Sequence, residues 1–438
     1  MKRLILAFFF ALVPLAPAFA VDVQTMQPVK GAEVWFVEDH TVPMIAISAA
    51  IPAGSAYDPQ GMGGLAAFAA ALLDEGAGNM RSTAFQTALS NRAIRLSASP
   101  ERDYLIVSMV TLSSHAKDAF KLLGLALAHP RFDDDAVARV RAQIISGLNQ
   151  EEEDPSSVAA KGFYKLFFAG HAYGHSVSGD AAGVAAITAP DLKSFAASHW
   201  VRSGLLVAVS GDVDPATLKS LLASAFGALP AKAPPPPPWV SHMGDPGVHV
   251  IAMPIPQPTA VFGLPGILRK DKDFIPAYVA NYILGGGGFA SRLTQDVRVA
   301  RGLTYDIDTA LEPYRRGGLV IGEVASKKGS MRDTIDVMRA TMKKFVDEGP
   351  TDKELADAKT YLTGSLPLAF TSDVGIAAQL NAFQMAGLPV DYMQKRNDLI
   401  NAVTRDDVKR VAKRLFNPDK LTIVVAGSVS PPAPAKKH

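Results

Sequence analysis

The chain contains no cysteine among its 438 residues. Disulfide bonds and cysteine-ligated zinc are therefore excluded, so stability has to come from burial of a hydrophobic core. No stretch after the first twenty residues is apolar and long enough to span a bilayer. The roughly 418 residues that follow are enough for a large core, and they predict two or more domains rather than one.

Self-contained catalytic motifs are also missing. The sequence has no H-E-x-x-H, no H-x-x-E-H and no G-x-S-x-G, which are motifs of zinc peptidases and serine hydrolases. Residues 285–288 are four consecutive glycines, but no G-K-[ST] follows them. A phosphate-binding loop is therefore disfavoured, and the run is interpreted as a flexible turn or hinge.

The first twenty residues have the pattern of a secretory signal peptide. Lys2 and Arg3 precede an apolar run over residues 4–17, and a small-x-small cleavage site ends at Ala20. We therefore expect export to the periplasm and no stable membrane insertion, the alternative being a retained N-terminal anchor. Removing the leader leaves 42 basic against 42 acidic residues. This balance gives no reason to expect nucleic acid as a partner.

An internal repeat indicates a duplicated domain. Residues 187–214 align without a gap with residues 403–430, at an offset of 216 residues. In each copy a threonine, Thr188 or Thr404, is followed three residues later by an aspartate, which predicts a capped helix. An apolar strand and a glycine follow in both copies. The same unit in two halves of one chain is typical of duplication.

A proline-rich segment separates the two halves. Residues 234–238 are five consecutive prolines, which adopt an extended conformation and favour a linker over a surface loop within one domain. The predicted divisions are a signal peptide at 1–20, an N-terminal domain at 21–230, a linker at 231–244, a C-terminal domain at 245–430 and a tail at 431–438. Strand patterns alternate with long helical patterns in both halves. They predict two homologous α+β domains, each a mostly antiparallel sheet covered on one face by helices.

One zinc site can be assembled from spacing alone. His171 and His175 lie four residues apart, and a run of acids, Glu151, Glu152, Glu153 and Asp154, precedes them. The Tyr-Gly pair between the histidines predicts a loop rather than a helix face. The alternative is a pair of loop histidines and the solvated end of a helix that Pro155 stops.

Three longer segments, residues 42–79, 154–195 and 285–307, together resemble the pitrilysin/insulinase family of zinc peptidases. The resemblance covers nearly the whole chain after the leader. It is closest to the short bacterial branch of the family and to the mitochondrial processing peptidase. It implies two homologous domains that form one half of a clamshell.

The resemblance also locates the positions that hold zinc in active relatives. There, an H-x-x-E-H helix supplies two ligands and a general base. The matching residues here are Ala67, Ala70 and Ala71, and the position of the third ligand, a glutamate, falls on Gly147. The resemblance therefore implies that this chain has no catalytic residue in that motif and binds no zinc.

A second set of family positions is retained. Active relatives use an arginine and a tyrosine seven residues apart to hold substrate, and Arg298 and Tyr305 match this pair. A guanidinium and a phenol can both donate hydrogen bonds to a developing oxyanion. The alternative is a surface charge and a strand residue kept for packing, and Arg301 competes with Arg298 for the arginine position.

These features lead to an expected function. The resemblance implies a non-catalytic, substrate-binding subunit of a periplasmic heterodimeric zinc peptidase. Its partner would be a homologous subunit that carries the zinc, and its substrate an unfolded peptide added as a strand to a sheet edge. The alternative, known from relatives in the respiratory chain, is a scaffold or peptide-binding protein without proteolysis. A peptidase that uses His171 and His175 is a third possibility.

Overall fold

The computed structural model describes residues 22–232, 234–327 and 329–429. The predicted signal peptide and tail lie outside the described residues. The strands are β1 (Gln24–Met26), β2 (Ala32–Glu38), β3 (Met44–Ile51), β4 (Gly76–Ala77), β5 (Met80–Arg81), β6 (Arg95–Pro100), β7 (Leu105–Leu112), β8 (Leu205–Gly211), β9 (Gly247–Ile251), β10 (Thr259–Pro265), β11 (Thr304–Pro313), β12 (Gly318–Ser326) and β13 (Thr422–Ala426). The α-helices are α1 (Leu65–Ala71), α2 (Ser82–Ser90), α3 (Ala116–Ala128), α4 (Asp134–Glu151), α5 (Pro155–Phe167), α6 (Ala181–Ala186), α7 (Ala189–His199), α8 (Pro215–Phe226), α9 (Phe274–Asn281), α10 (Met331–Glu348), α11 (Asp352–Ser365), α12 (Asp373–Met385), α13 (Tyr392–Asn401) and α14 (Arg405–Leu415).

Two large sheets confirm the predicted duplication of an α+β unit. The first sheet has the strand order β1-β2-β8-β3-β7-β6, and the second has the order β11-β12-β10-β13-β9. All neighbouring strands are antiparallel except β2 with β8 and β9 with β13. The parallel pair thus recurs at equivalent places in the two halves. Strands β4 and β5 form a separate two-stranded sheet.

Both threonines of the repeat begin a helix as the sequence predicts. The Thr188 side chain accepts a hydrogen bond from the amide of Asp191, and the Asp191 carboxylate accepts one from the amide of Thr188. Thr404 and Asp407 form the same reciprocal arrangement at the start of α14. Each capping box satisfies two amides that the helix itself leaves without partners. The strand after each helix then enters the middle of its sheet.

Helices cover one face of each sheet from its own half, as predicted, and a helix from the opposite half covers the other face. Helix α12 of the second half packs on β8 and β3 of the first sheet, where Leu380 and Phe383 meet Trp35. Helix α5 of the first half packs on β13 and β10 of the second sheet. Each half therefore completes the core of the other.

The proline-rich segment forms neither helix nor strand where it is described. Its backbone is attached to both halves of the molecule. The Val240 amide donates to the carbonyl of Arg316 at 3.0 Å, and the Gly244 amide donates to the carbonyl of Phe167 at 2.9 Å. Within the described ranges, no helix has the length and apolar character needed to cross a membrane.

Candidate functional site

Helix α1 carries the three alanines at the altered zinc positions. Ala70 is buried, Ala67 is half-buried and Ala71 is exposed, so this side of the helix reaches the surface. A methyl group has no lone pair for a metal and no proton to exchange. These residues therefore do not fit a zinc ion, and no catalytic step can be derived through zinc on this chain.

The start of α1 is held by a half-buried carboxyl group. Asp58 accepts hydrogen bonds from the amides of Gly64 and Ala66, both at 2.8 Å. Burial raises the pKa of Asp58 to about 7, against the effect of these hydrogen bonds. The helix is thus capped by a carboxyl that titrates near neutral pH.

Two of the segments that resemble the peptidase family meet at this helix start. A Cβ atom on Gly179 would lie 2.2 Å from the carbonyl oxygen of Gly63, and one on Gly64 would lie 2.7 Å from that of Ser178. Gly64 and Gly179 also have φ angles of +95° and +77°. Only glycine fits this close backbone contact without strain.

The position of the third zinc ligand lies on a neighbouring helix. Gly147 is in α4, which packs against α1. A Cβ atom on Gly147 would meet no atom within 4 Å. The glycine is therefore not required by packing, and a side chain at this position would meet no neighbour.

The histidine pair does not converge on a metal site. The imidazole of His171 uses both nitrogens, with Nε2 donating to the carbonyl of Pro238 at 3.0 Å and Nδ1 accepting from the amide of Tyr173 at 3.1 Å. His175 Nδ1 bonds to the carbonyl of Ser176 at 3.0 Å, and its buried Nε2 has no partner. No group of three or more His, Asp or Glu residues in the described ranges could hold a metal ion.

Three of the four acids upstream of the histidines have partners elsewhere. Lys161 forms ion pairs with Glu151 at 3.1 Å and with Glu152 at 2.8 Å. Asp154 caps α5 by accepting from the amide of Ser157 at 2.8 Å. Pro155 is the first residue of α5, so it begins a helix as well as ending the preceding one. This geometry disfavours a zinc site built from His171 and His175.

Arg298 and Tyr305 lie together on the surface of the second half. The Arg298 guanidinium lies over the ring of Tyr305, 4.9 Å from its centroid, and over the ring of Phe289, 4.5 Å from its centroid. Two aromatic faces therefore orient one cation. We call Arg298, Tyr305 and Phe289 the arginine–aromatic cluster.

Backbone irregularities expose this cluster. Arg298 is in a π-helical segment, Thr294–Val299, and Tyr305 is in β11, the outermost strand of its sheet. The pairing of β11 with β12 shifts register between Thr304 and Ile307, so Tyr305 lies at a bulge. Tyr305 is 83% exposed, which excludes a packing role in the core.

The side chain of Arg301 points in a different direction from that of Arg298. Its Nη1 donates to the backbone carbonyl of Asp296 at 2.7 Å. It thereby closes the end of its own helical segment. Of the two competing arginines, Arg298 is the one that the fold brings to Tyr305.

An ion pair anchors the segment that carries Arg298. Arg292 donates to both carboxylate oxygens of Glu354, from Nε at 2.7 Å and from Nη2 at 2.8 Å. Burial opposes ionisation of Glu354, but the hydrogen bonds from Arg292 and from the amide of Thr351 outweigh it and lower its pKa to about 2. The arginine segment is therefore tied to the start of α11.

The four glycines before this segment lie in a turn, one of the two forms that the sequence predicts, and most of them are closely packed. A Cβ atom on Gly285 would lie 2.3 Å from Oγ1 of Thr309, and one on Gly287 would lie 2.7 Å from the carbonyl of Tyr282. Gly285 is in a π-helical turn, Tyr282–Gly286, that packs against β11. Close packing explains Gly285 and Gly287, whereas Gly288 has open space around it and a φ of +55°.

Phe289 is a member of the cluster that the sequence reasoning missed. It is 62% exposed, which is unusual for a phenylalanine with a packing role. Its place directly after four glycines and nine residues before Arg298 was the available signal. Spacing alone could not show that its ring would stack on the guanidinium.

The comparisons with known proteins agree on one family. Residues 33–181 match the family model described as insulinase (peptidase family M16), and residues 186–362 match the model described as peptidase M16 inactive domain. The "non-peptidase homolog YmxG" of Helicobacter pylori is 25% identical over 415 residues, covering 94% of each chain. The "uncharacterized zinc protease YmxG" of Bacillus subtilis is 21% identical over 411 residues, covering 92% of this chain and 98% of the relative.

A solved structure leads to the same conclusion. The peptidase M16 inactive domain from Pseudomonas fluorescens superposes with a TM-score of 0.88 and 28% sequence identity, covering 94% of this chain and all of that one. The chain therefore belongs to the insulinase family of peptidases, M16, and lacks the H-x-x-E-H motif of its active members.

Proposed function

We propose that this chain is the substrate-binding, non-catalytic subunit of a heterodimeric zinc peptidase in the periplasm. One contrast carries the proposal. The zinc positions of the first half are Ala67, Ala70 and Ala71, whereas the second half presents Arg298 and the exposed Tyr305 stacked together. The relative named as a non-peptidase homologue supports a role without independent catalysis.

The proposed chemistry divides the active site between two chains. A zinc-bearing homologous subunit supplies the metal that activates water. This chain supplies hydrogen-bond donors: the guanidinium of Arg298 and the phenolic hydroxyl of Tyr305 bind the peptide carbonyl as it gains negative charge. Stacking on Phe289 limits the motion of the guanidinium, so less ordering is needed when substrate binds.

The substrate we propose is an unfolded peptide. Strand β11 is at the edge of its sheet and carries Tyr305. An extended peptide can pair with such an edge through main-chain hydrogen bonds, largely without regard to its sequence. The peptide then passes directly beside the arginine–aromatic cluster.

Reconstitution tests this proposal. Cleavage of an unfolded fluorogenic peptide is measured with this chain alone, with a purified zinc-bearing homologue from the same organism, and with their mixture. We expect cleavage by the mixture to exceed the sum of the separate rates. The proposal is wrong if mixing adds nothing, or if this chain alone binds zinc stoichiometrically and cleaves the peptide.

Variants in the mixture test the residue assignment. Arg298→Ala and Tyr305→Phe are each expected to lower kcat by about 10²–10³-fold, as loss of an oxyanion donor does elsewhere. Arg301→Ala is the matched control, because its guanidinium is directed to the carbonyl of Asp296. A loss in Arg301→Ala with no loss in Arg298→Ala would transfer the role to Arg301.

The compartment and the alternative role have separate tests. Export is checked by N-terminal sequencing of the protein from the periplasmic fraction, which we expect to begin at Val21. Binding of unfolded peptide with no gain in cleavage in the mixture would assign the chain instead as a peptide-binding or scaffold protein.

A further inference from the structure

A second candidate site lies away from the arginine–aromatic cluster, at the junction of the two halves. It is a cavity of about 460 Å³. Its walls come from the start of β7 and β8 in the first half, from the loop after β10, the β11–β12 turn and the end of α12 in the second half, and from the proline-rich segment. Both halves and the segment between them therefore contribute to one space.

The lining is strongly basic. Arg269, Lys270, Arg315 and Arg316 line the cavity, and no Asp or Glu does. None of the four forms an ion pair with a described residue. Like charges gathered without a paired carboxylate repel one another, so an anion placed among them is stabilised.

The acids behind the cavity wall have other partners. Asp103 accepts from the hydroxyl of Tyr173 at 2.6 Å and from the backbone amide of Arg315 at 2.9 Å. Glu312 accepts hydrogen bonds from the hydroxyls of Tyr164 and Tyr314. Neither carboxylate bonds to a cationic side chain of the cavity lining.

Aromatic rings hold the arginines in place without neutralising them. The Arg316 guanidinium lies 4.8 Å from the ring centroid of Trp239, and that of Arg315 lies 5.2 Å from the ring centroid of Tyr104. The buried Nε of Arg316 has no hydrogen-bond partner. A buried donor without a partner, in a residue that lines a basic cavity, is able to bind an acceptor oxygen.

We propose that this cavity binds a small multivalent anion carrying phosphate or carboxylate groups. The planar fork of a guanidinium matches both groups, and several cations in one concave space favour a ligand with more than one charge. Because its walls come from both halves, the bound anion ties the halves together. The competing explanation is structural, since cations near the last carbonyls of α12 also stabilise its C-terminal end.

Titration of the mature chain tests the site directly. Sodium tripolyphosphate, citrate and orthophosphate are each titrated at constant ionic strength, and binding is followed by calorimetry. Acrylamide quenching provides a local signal, because Trp239 is 58% exposed while Trp35 and Trp200 are 2% and 1% exposed. We expect saturable one-to-one binding of tripolyphosphate, citrate or both, with protection of Trp239, and weaker binding of orthophosphate.

Charge-matched variants decide whether the binding belongs to the cavity. Lys270 and Arg315 are exposed, so the double variant Lys270→Gln/Arg315→Gln is expected to fold. It should weaken binding about tenfold or more, because two charge-assisted contacts are lost. The control is Lys117→Gln/Lys219→Gln, which removes the same charge from exposed helical positions outside the cavity.

The outcomes separate the explanations. Binding of tripolyphosphate alone indicates a phosphate ligand, and binding of citrate alone indicates a carboxylate ligand. Either result supports the site when the cavity variant weakens the binding and the control variant does not. Absence of saturable binding by tripolyphosphate and citrate, or equal weakening in the cavity and control variants, overturns the proposal. The cations would then serve only α12 and the turn around them.

Discussion

Helices α5 and α12, which each pack on the sheet of the opposite half, occupy equivalent places in the duplicated fold but make different contacts at the same helix position. Phe163 is the ninth residue of α5 and packs over Gly263, the fifth residue of β10. Asn381 is the ninth residue of α12 and bonds to Ser48, the fifth residue of β3, with 3.1 Å between Asn381 Oδ1 and Ser48 Oγ. One contact is aromatic and the other is a buried hydrogen bond.

The difference shows how a duplicated architecture can tolerate divergence. A Cβ atom on Gly263 would lie 2.6 Å from Cζ of Phe163, so the small residue makes room for the ring. In the other half, Asn381 also donates to the carbonyl of Leu206 at 3.1 Å, and Ser210 donates to Asp373 at 2.5 Å. Both helices bury apolar side chains, but at this position an aromatic ring stabilises one interface and a satisfied polar pair specifies the other.

Truncating the aromatic contact should have the largest effect. Phe163→Ala is expected to lower the free energy of unfolding by about 3–5 kcal/mol, because a fully buried ring is lost and a cavity remains beside Gly263. Urea denaturation measures it. The control Leu368→Ala, at a residue that is 74% exposed, should change stability by at most about 0.5 kcal/mol. Similar losses in both variants would contradict an aromatic anchor.

Truncating the polar contact should cost less. Asn381→Ala is expected to lower the free energy of unfolding by about 1–3 kcal/mol, since the buried Ser48 hydroxyl and Leu206 carbonyl lose a partner. Ser48→Ala combined with Asn381→Leu should recover part of this loss in a double-mutant cycle. A loss as large as that of Phe163→Ala would remove the contrast between the two interfaces.

The stability contributions of Glu354, at the start of α11, and Asp58, at the start of α1, should depend on pH in opposite directions. Glu354 governs the loss of stability in acid. Its folded pKa of about 2 is below the ordinary 4.5, so its contribution is present above pH 4.5 and is lost as pH falls toward 2. Glu354→Gln should therefore reduce the loss of stability between pH 5 and pH 3 in urea denaturation. Asp352→Asn, at a side chain that is 87% exposed, is the control and should keep the wild-type pH dependence.

Asp58 governs the pH dependence of stability near neutral pH. Its folded pKa of about 7 is above the ordinary 3.8, so its contribution is fully present below pH 4 and is lost as pH rises through 7. Asp58→Asn should flatten the decline in stability between pH 5 and pH 7.5. Parallel profiles for wild type and variant in that range would contradict the raised pKa.

Local patterns made much of the fold predictable. The capping boxes at Thr188 and Thr404, the strands after them and the duplicated α+β class depend on residues close in sequence, where propensity and periodicity act. The packing of α5 and α12 on the sheet of the opposite half was not predictable in this way. Each of these helices has an apolar side that would fit either sheet, and only long-range packing selects the opposite half.

The same distinction between local and long-range interactions applies to the candidate site. The sequence by itself determined that Ala67, Ala70 and Ala71 cannot bind zinc, because that follows from the chemistry of the side chains. The tertiary structure decided that Arg298, rather than Arg301, lies with Tyr305. A bulge in β11 and a π-helical segment set those directions, and at both the chain departs from the regular periodicity on which prediction from sequence depends.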